Sequence, residues 1–171
     1  MTLGFYENFP PNIHRVDRFA STLSIKQLQV ELIQVLKDVN GREFSFEEVA
    51  NPTVPEGTVI FEFGLAESGD FNYIDEEEVK KIQSFLAKER LHSMDLFCSI
   101  RYYKGSGEGR SALKFDYYML RTIFSKDMME VQVFHERGPR YLSPEELTMF
   151  VFEKVNATSN KNKKILKKTT L

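Results

Sequence analysis

The residues best suited to chemistry lie between positions 105 and 140. Gly105, Gly107 and Gly109 recur at every second position and Arg110 follows at once. Closely spaced glycines let backbone N–H groups approach a phosphate, and a guanidinium adds a charge-assisted contact. Nucleotide-binding loops of the Walker and dinucleotide types run directly into a helix, whereas a strand pattern follows here. A kinase-type glycine loop does join two strands, but its companion lysine, catalytic-loop and metal-binding motifs are absent. The plainer reading is a flexible hairpin connection. The chemical one is a site for a phosphorylated small molecule or nucleic acid, built from Gly105, Gly107, Gly109, Arg110, Asp116 and Glu130.

Strand alternation places Asp116, Glu130 and Gln132 on one face, with Asp116 opposite Glu136. Adjacent carboxylates repel unless a metal, a proton or an arginine intervenes. The spacing loosely resembles the acidic residues of the PD-(D/E)xK nuclease family, with Gln132 where lysine is usual and no preceding Pro-Asp pair. As ordinary surface groups, these acids are balanced by Lys114, Arg101 and Arg121. His14 with Asp17 and its arginines, and His135 with Glu136, Arg137 and Arg140, are two further candidate anion sites, although histidines among mixed charges are commonly surface residues. Three scattered histidines and one cysteine make no zinc spacing. Asp70-Phe71-Asn72 starts like a calcium loop that Ile74 and the following acids break. No catalytic motif is complete, and no metal or cofactor is implied.

The elements that must position these groups centre on residues 94–137, which read as a three-stranded meander. Met94, Leu96, Cys98, Ile100 and Tyr102 alternate with more polar neighbours at the period of a strand. Leu113, Phe115, Tyr117, Met119 and Ile123 read as a second apolar row, and Met129, Val131 and Val133 as a third. Keeping the rows on one side favours a three-residue loop, Ser125 to Asp127, over a two-residue one, and sets Ile123 opposite Met129. The other face then carries Phe97, Tyr103, Tyr118, Leu120 and Phe134, with Arg101 as a polar anchor.

Around the meander, Ser24 with Gln27, Asp75 with Glu78 and Ser143-Pro144 with Glu146 are helix starts of the capping-box type. Apolar stripes follow each at helical spacing. Asn40-Gly41 stops the first helix. Leu3 to Tyr6, Arg42 to Glu48 and Thr58 to Leu65 read as strands, 51–57 as a loop and Glu67 to Tyr73 as a turn. The order predicts a single α+β domain over residues 1–155: an antiparallel sheet of four or more strands, with three amphipathic helices packed mainly on one face.

Composition narrows the function classes. The 171 residues carry a formal charge of -2, but residues 156–171 hold five lysines and no acid, so residues 1–155 are net -7. An acidic body argues against a broad nucleic-acid surface, and only the tail, read as mobile, is basic. The single cysteine, Cys98, excludes an internal disulfide and suits a reducing compartment. No signal pattern or membrane span is visible, so a cytoplasmic location is expected. The function expected is a non-enzymatic binding or assembly module using Phe97, Arg101, Tyr103, Tyr118, Leu120 and Phe134. Its simplest partner is a second copy of the chain, forming a homodimer.

Overall fold

Each helix begins where a short polar side chain can satisfy its first free N–H groups. In the computed structural model, which describes residues 3–50, 56–158 and 165–169, Ser24 caps α1 (Ile25–Val39), accepting from the Gln27 N–H while the Gln27 side chain accepts from Ser24. Ser143 and Glu146 form the same reciprocal pair ahead of α4 (Pro144–Ala157). Asp75 caps α3 (Glu76–Leu86), but Glu78 does not close the box: its carboxylate turns to Lys81, 2.9 Å away, and to Asn72. Asn40 ends α1 and ties it to the sheet, since its side-chain amide exchanges hydrogen bonds with both backbone groups of Phe63.

Nine strands are described: β1 (Arg15–Ser21), β2 (Glu43–Ser45), β3 (Gly57–Glu67), β4 (Asp70–Tyr73), β5 (Ser93–Lys104), β6 (Ser111–Ala112), β7 (Asp116–Ser125), β8 (Met128–Arg137) and β9 (Leu166–Thr169). They form one antiparallel sheet in the order β2-β3-β5-β7-β8-β1-β9, with β4 on β3 and β6 on β5. A short helix, α2 (Phe46–Val49), follows β2. The α+β expectation is met, with more strands than the minimum and one extra helix.

The core lies between one side of the sheet and the helices. Leu32 and Leu36 of α1, Ile82 of α3, and Leu147 and Phe150 of α4 pack with Phe61, Phe63, Cys98, Ile100, Leu120, Val131 and Val133. Burying such side chains supplies roughly 1.5–3 kcal/mol each.

Four expectations are corrected. The β7–β8 connection is the two-residue loop Lys126-Asp127, with Asp127 at φ 62, so Ser125 faces Met128, Phe124 faces Met129 and Leu120 faces Val133. The row of β7 that meets the helices is therefore Tyr118, Leu120 and Thr122, not Tyr117, Met119 and Ile123. The reason is that β7 is apolar on both sides, so alternation carries no parity signal. Its true inward row contains Asp116 and Thr122, both buried because their polar atoms find partners.

Leu3–Tyr6 forms no strand. Instead Gly4 bridges two diverging strands, donating to the Ala66 carbonyl and accepting from the Asp95 N–H, each at 2.7 Å. Residues 67–73 form a hairpin closed by Ser68 (φ 52) and Gly69 (φ 87), the doubly left-handed turn that suits sheet twist. The tail is not free along its length: Leu166–Thr169 pairs with β1, and Asn156 holds Leu166 by its N–H and carbonyl. Residues 51–55 of the predicted loop and 159–164 of the tail lie outside the described residues.

Candidate functional site

Because successive strand residues point to opposite sides, the pairings define rows across the face turned away from the helices. Gly64, Phe97, Met119 and Phe134 make one row; Glu62, Ser99, Tyr117 and Arg137 make the next. A bulge falls between Tyr117 and Tyr118, so that Glu136 is the unpaired residue and Arg137 returns to the outer side beside Tyr117. Phe71 of β4 extends the aromatic surface sideways. Ring centroids are 5.6 Å apart for Phe71–Phe97, 5.9 Å for Phe97–Tyr117 and 6.1 Å for Tyr117–Phe115. The Arg137 guanidinium lies over Tyr117 at 4.5 Å, and His14 stacks on Phe134 at 4.8 Å. Phe97, Tyr117 and Phe134 are half-buried, Phe115 is 37% exposed, and Met119, filling the gap between them, is only 6% exposed.

Charges on this face are largely matched. Arg101 pairs with Glu62 at 2.9 Å, Arg18 with Glu130 at 2.8 Å, and Arg121 grips Asp95 through two hydrogen bonds of 2.8 and 2.9 Å. Hydrogen bonds from Arg18 and then Gln132 hold the Glu130 carboxyl below its ordinary pKa. No acid pairs with Arg137 among the described residues.

The Asp95–Arg121 pair also fastens the N-terminal segment over one end of the face. Tyr6 donates its N–H to Asp95, Arg121 donates to the Tyr6 carbonyl, and Phe5 and Phe9 lie against the guanidinium at 5.2 and 4.5 Å. Thus residues 5–9 cover the Asp95 row, with Tyr6 packed on Phe71 at 4.8 Å between ring centroids, and leave the Phe97 and Tyr117 rows half-exposed.

Of the six contact residues expected from sequence, four are on this face: Phe97, Arg101, Tyr103 and Phe134. Tyr118 and Leu120 are not. They are 0% and 3% exposed beneath the helices, and the Tyr118 hydroxyl donates to the Leu142 carbonyl. Tyr117 and Phe71, which the sequence reading left off the face, belong to it. Signals for them existed in the aromatic Tyr117-Tyr118 pair, of which one must point outward, and in a Ser-Gly turn able to make a hairpin.

The glycine-loop residues are not brought together as one site. Gly107–Gly109 is a single 3-10 turn; Arg110 stacks on Tyr103 at 4.2 Å and reaches Glu43 at 3.5 Å, as does the Gly107 N–H. The groups that would hold an anion therefore face the protein's own carboxylate. Asp116 is on the helix side, opposite Ile100, whereas Glu130 is outward, opposite Ile123. Seven residues of β7 separate those positions, roughly 23 Å at about 3.3 Å per residue.

Asp116 instead organises a buried polar knot. Its Oδ2 accepts from the Tyr102 hydroxyl and the Tyr141 N–H, and its Oδ1 accepts from the Arg140 N–H and lies 2.9 Å from His135 Nε2. Tyr102 in turn accepts from Leu142 N–H. Burial, and then the hydrogen bond to Asp116, push the Tyr102 hydroxyl far above its usual pKa; burial and nearby Asp116 raise that of Tyr118. Burial likewise raises the Cys98 thiol, which therefore stays protonated and a poor nucleophile. Each carboxylate oxygen is held by one N–H of the loop, from Arg140 or Tyr141, and by one side chain, His135 or Tyr102. This arrangement fits a loop anchor better than a general base. The cavity between α1, α4 and the sheet is apolar and about 20 Å³, enough for one water but not a substrate. His14 and His135 meet through the His135 backbone N–H, which donates to His14 Nδ1. Among the described residues no group of three acids, histidines or cysteines could hold a metal, and no helix is long and apolar enough to cross a membrane.

The chain matches no family model, no curated protein and no solved structure at a significant level.

Proposed function

We propose that the protein is a non-enzymatic binding module whose contact surface is the helix-free face of its sheet, centred on Phe97, Tyr117 and Phe134 with Arg101 and Arg137. The observation that carries this reading is the run of half-buried rings on the side opposite α1, α3 and α4. Aromatic residues and arginine are the types enriched at contacts, and a side chain that is rigid and half-exposed loses little entropy when covered. The location that suits the reading is the cytoplasm, where the lone Cys98 meets no oxidising machinery. The glycine loop supports a ligand site less well, because Glu43 already faces Arg110 and Gly107.

A second copy of the chain is the occupant that needs no other component. Sedimentation of the wild type and of a Phe97→Glu plus Phe134→Glu variant tests it. Association that the variant abolishes supports the homodimer, and a monomeric wild type with an unchanged variant removes it. A monomer that also ignores single-stranded oligonucleotides removes the binding-face reading altogether.

A further inference from the structure

We infer that the occupant of this face is a single-stranded nucleic acid, its bases stacked on Phe97 and Tyr117 beside the packed Tyr6–Phe71 pair and its backbone met by Arg137. The inference rests on the binding-face reading and names the chemistry of the partner. Three rings on β4, β5 and β7, with centroids 5.6 and 5.9 Å apart and planes tilted by 44° and 40°, form an aromatic track on a rigid sheet, Phe71 meeting Phe97 across the Gly64 of the intervening β3. Unpaired bases stack on such side chains whatever their sequence, since every base has a π face. A protein contact of the same size would favour a continuous apolar centre. Here the most exposed large hydrophobic side chains near the rings, Tyr73 and Phe115, stand at the ends of the run, Phe5 and Met128 lie apart from it, and Met119 between the rings is sealed.

Charge points the same way. Three acids of β3, β5 and β8, Glu62, Asp95 and Glu130, are each answered by an arginine of the same face, and a fourth, Glu136, is exposed at the bulge beside Arg137. Arg137 has no acid paired with it among the described residues, and it is exposed with its guanidinium over the Tyr117 ring. Lys114 is exposed at the same end of the sheet, where Gly138 lies against Phe115 and Asp116, while Arg140 is exposed on the loop that holds Asp116 from the helix side. Part of the acidic excess of residues 1–155 lies away from this face, on the first turns of α2, α3 and α4. A stacking surface with a small positive surplus suits a single strand, while a duplex, with its bases hidden, offers only phosphates.

The test is fluorescence anisotropy of the full chain with labelled oligo-dT and oligo-U of about 12 nucleotides, a length within the span of such surfaces, against a duplex of equal length. Both single strands should bind more tightly than the duplex, and the preference between them tells DNA from RNA. Tyr117→Ala should weaken single-strand binding about 5- to 150-fold, while Tyr117→Phe retains it. Arg137→Ala should reduce the slope of log affinity against log salt by about 0.7. Thermal melts of each variant report whether the fold is intact, and Tyr117→Phe keeps the comparison valid if Tyr117→Ala unfolds. Binding equal for single strand and duplex, or untouched by Tyr117→Ala and Phe97→Ala, would assign it to the lysine tail and overturn the inference. No binding together with self-association that Phe97→Glu abolishes would also overturn it, while leaving the face a contact for a second copy. No binding and no self-association would sink both.

Discussion

Replacing Asp116 by asparagine changes one oxygen to an amide and almost nothing in shape, so it isolates what the carboxylate does. All its backbone partners, and Tyr102, are placed to donate: Tyr102 and Tyr141 to Oδ2, Arg140 to Oδ1. The asparagine amide must replace one oxygen. If it replaces Oδ1, the Arg140 N–H faces a second donor, although His135 can switch tautomer and accept. If it replaces Oδ2, the Tyr141 N–H is stranded and the Tyr102 hydroxyl must reorient. Either way one buried backbone donor loses its acceptor, and hydrogen bonds to a charged group become bonds to a neutral one. The first effect costs about 1–3 kcal/mol and the second about 1 kcal/mol more, for a total near 2–4 kcal/mol. In a chain of this length that lowers the melting temperature by roughly 5–15 °C. Urea unfolding followed by circular dichroism measures the change as a shift in midpoint at constant slope. A loss below about 1 kcal/mol would refute the reasoning, because it would mean that the carboxylate is not the acceptor for two fixed N–H groups.

Gly138→Ala should be worse than any surface change: φ is +119, and a Cβ would lie 2.3 Å from the Phe115 carbonyl oxygen and 2.4 Å from Asp116 Oδ1. A thermal melt should show a loss above about 3 kcal/mol. Arg121→Met strands Asp95, which is 0% exposed, and frees the segment it clamps. Limited proteolysis should then cut among residues 5–10 at a rate the wild type does not show, with a stability loss of about 2–4 kcal/mol after allowance for partial exposure of Arg121. Glu130 has a lowered folded-state pKa, so its contribution is complete above the ordinary glutamate range and is lost as pH falls through the lower folded value. Glu130→Gln should therefore cost less than about 1 kcal/mol at neutral pH and flatten the acid limb of a stability-against-pH curve, leaving a difference from wild type that vanishes at low pH.

How far the sequence could be read depended on whether a segment's two sides differ. In β5 the alternation of Met94 to Tyr102 with polar neighbours left no doubt about which side turns inward, and the pairing agrees. In β7, Tyr117-Tyr118-Met119-Leu120 is apolar whichever side faces the core. The loop length there was deduced from the apolar row chosen for β7, and with the other row facing inward the loop is one residue shorter. The helix starts were legible because capping is local chemistry over four residues. β1 was not, since Arg15, Asp17 and Arg18 look like surface charge. Asp17 is in fact buried, held by Arg15 at 3.0 Å, and the strand is recruited by β8 far along the chain. The same limit hid the site: Phe71 and Tyr117 become neighbours of Phe97 only through long-range pairing, while the glycine loop, conspicuous as a pattern, is engaged with Glu43.

The C-terminal strand has a consequence for handling the molecule. An unpaired sheet border is a template on which stray chains can polymerise. One border here is made of the short strands β2 and β4, both on β3; the other is β9, which hides the hydrogen-bonding groups of β1 behind Lys167 and Lys168. A chain cut before Ile165 would uncover β1, with Phe19 at its centre, and should precipitate or form fibres at concentrations where the intact protein stays clear.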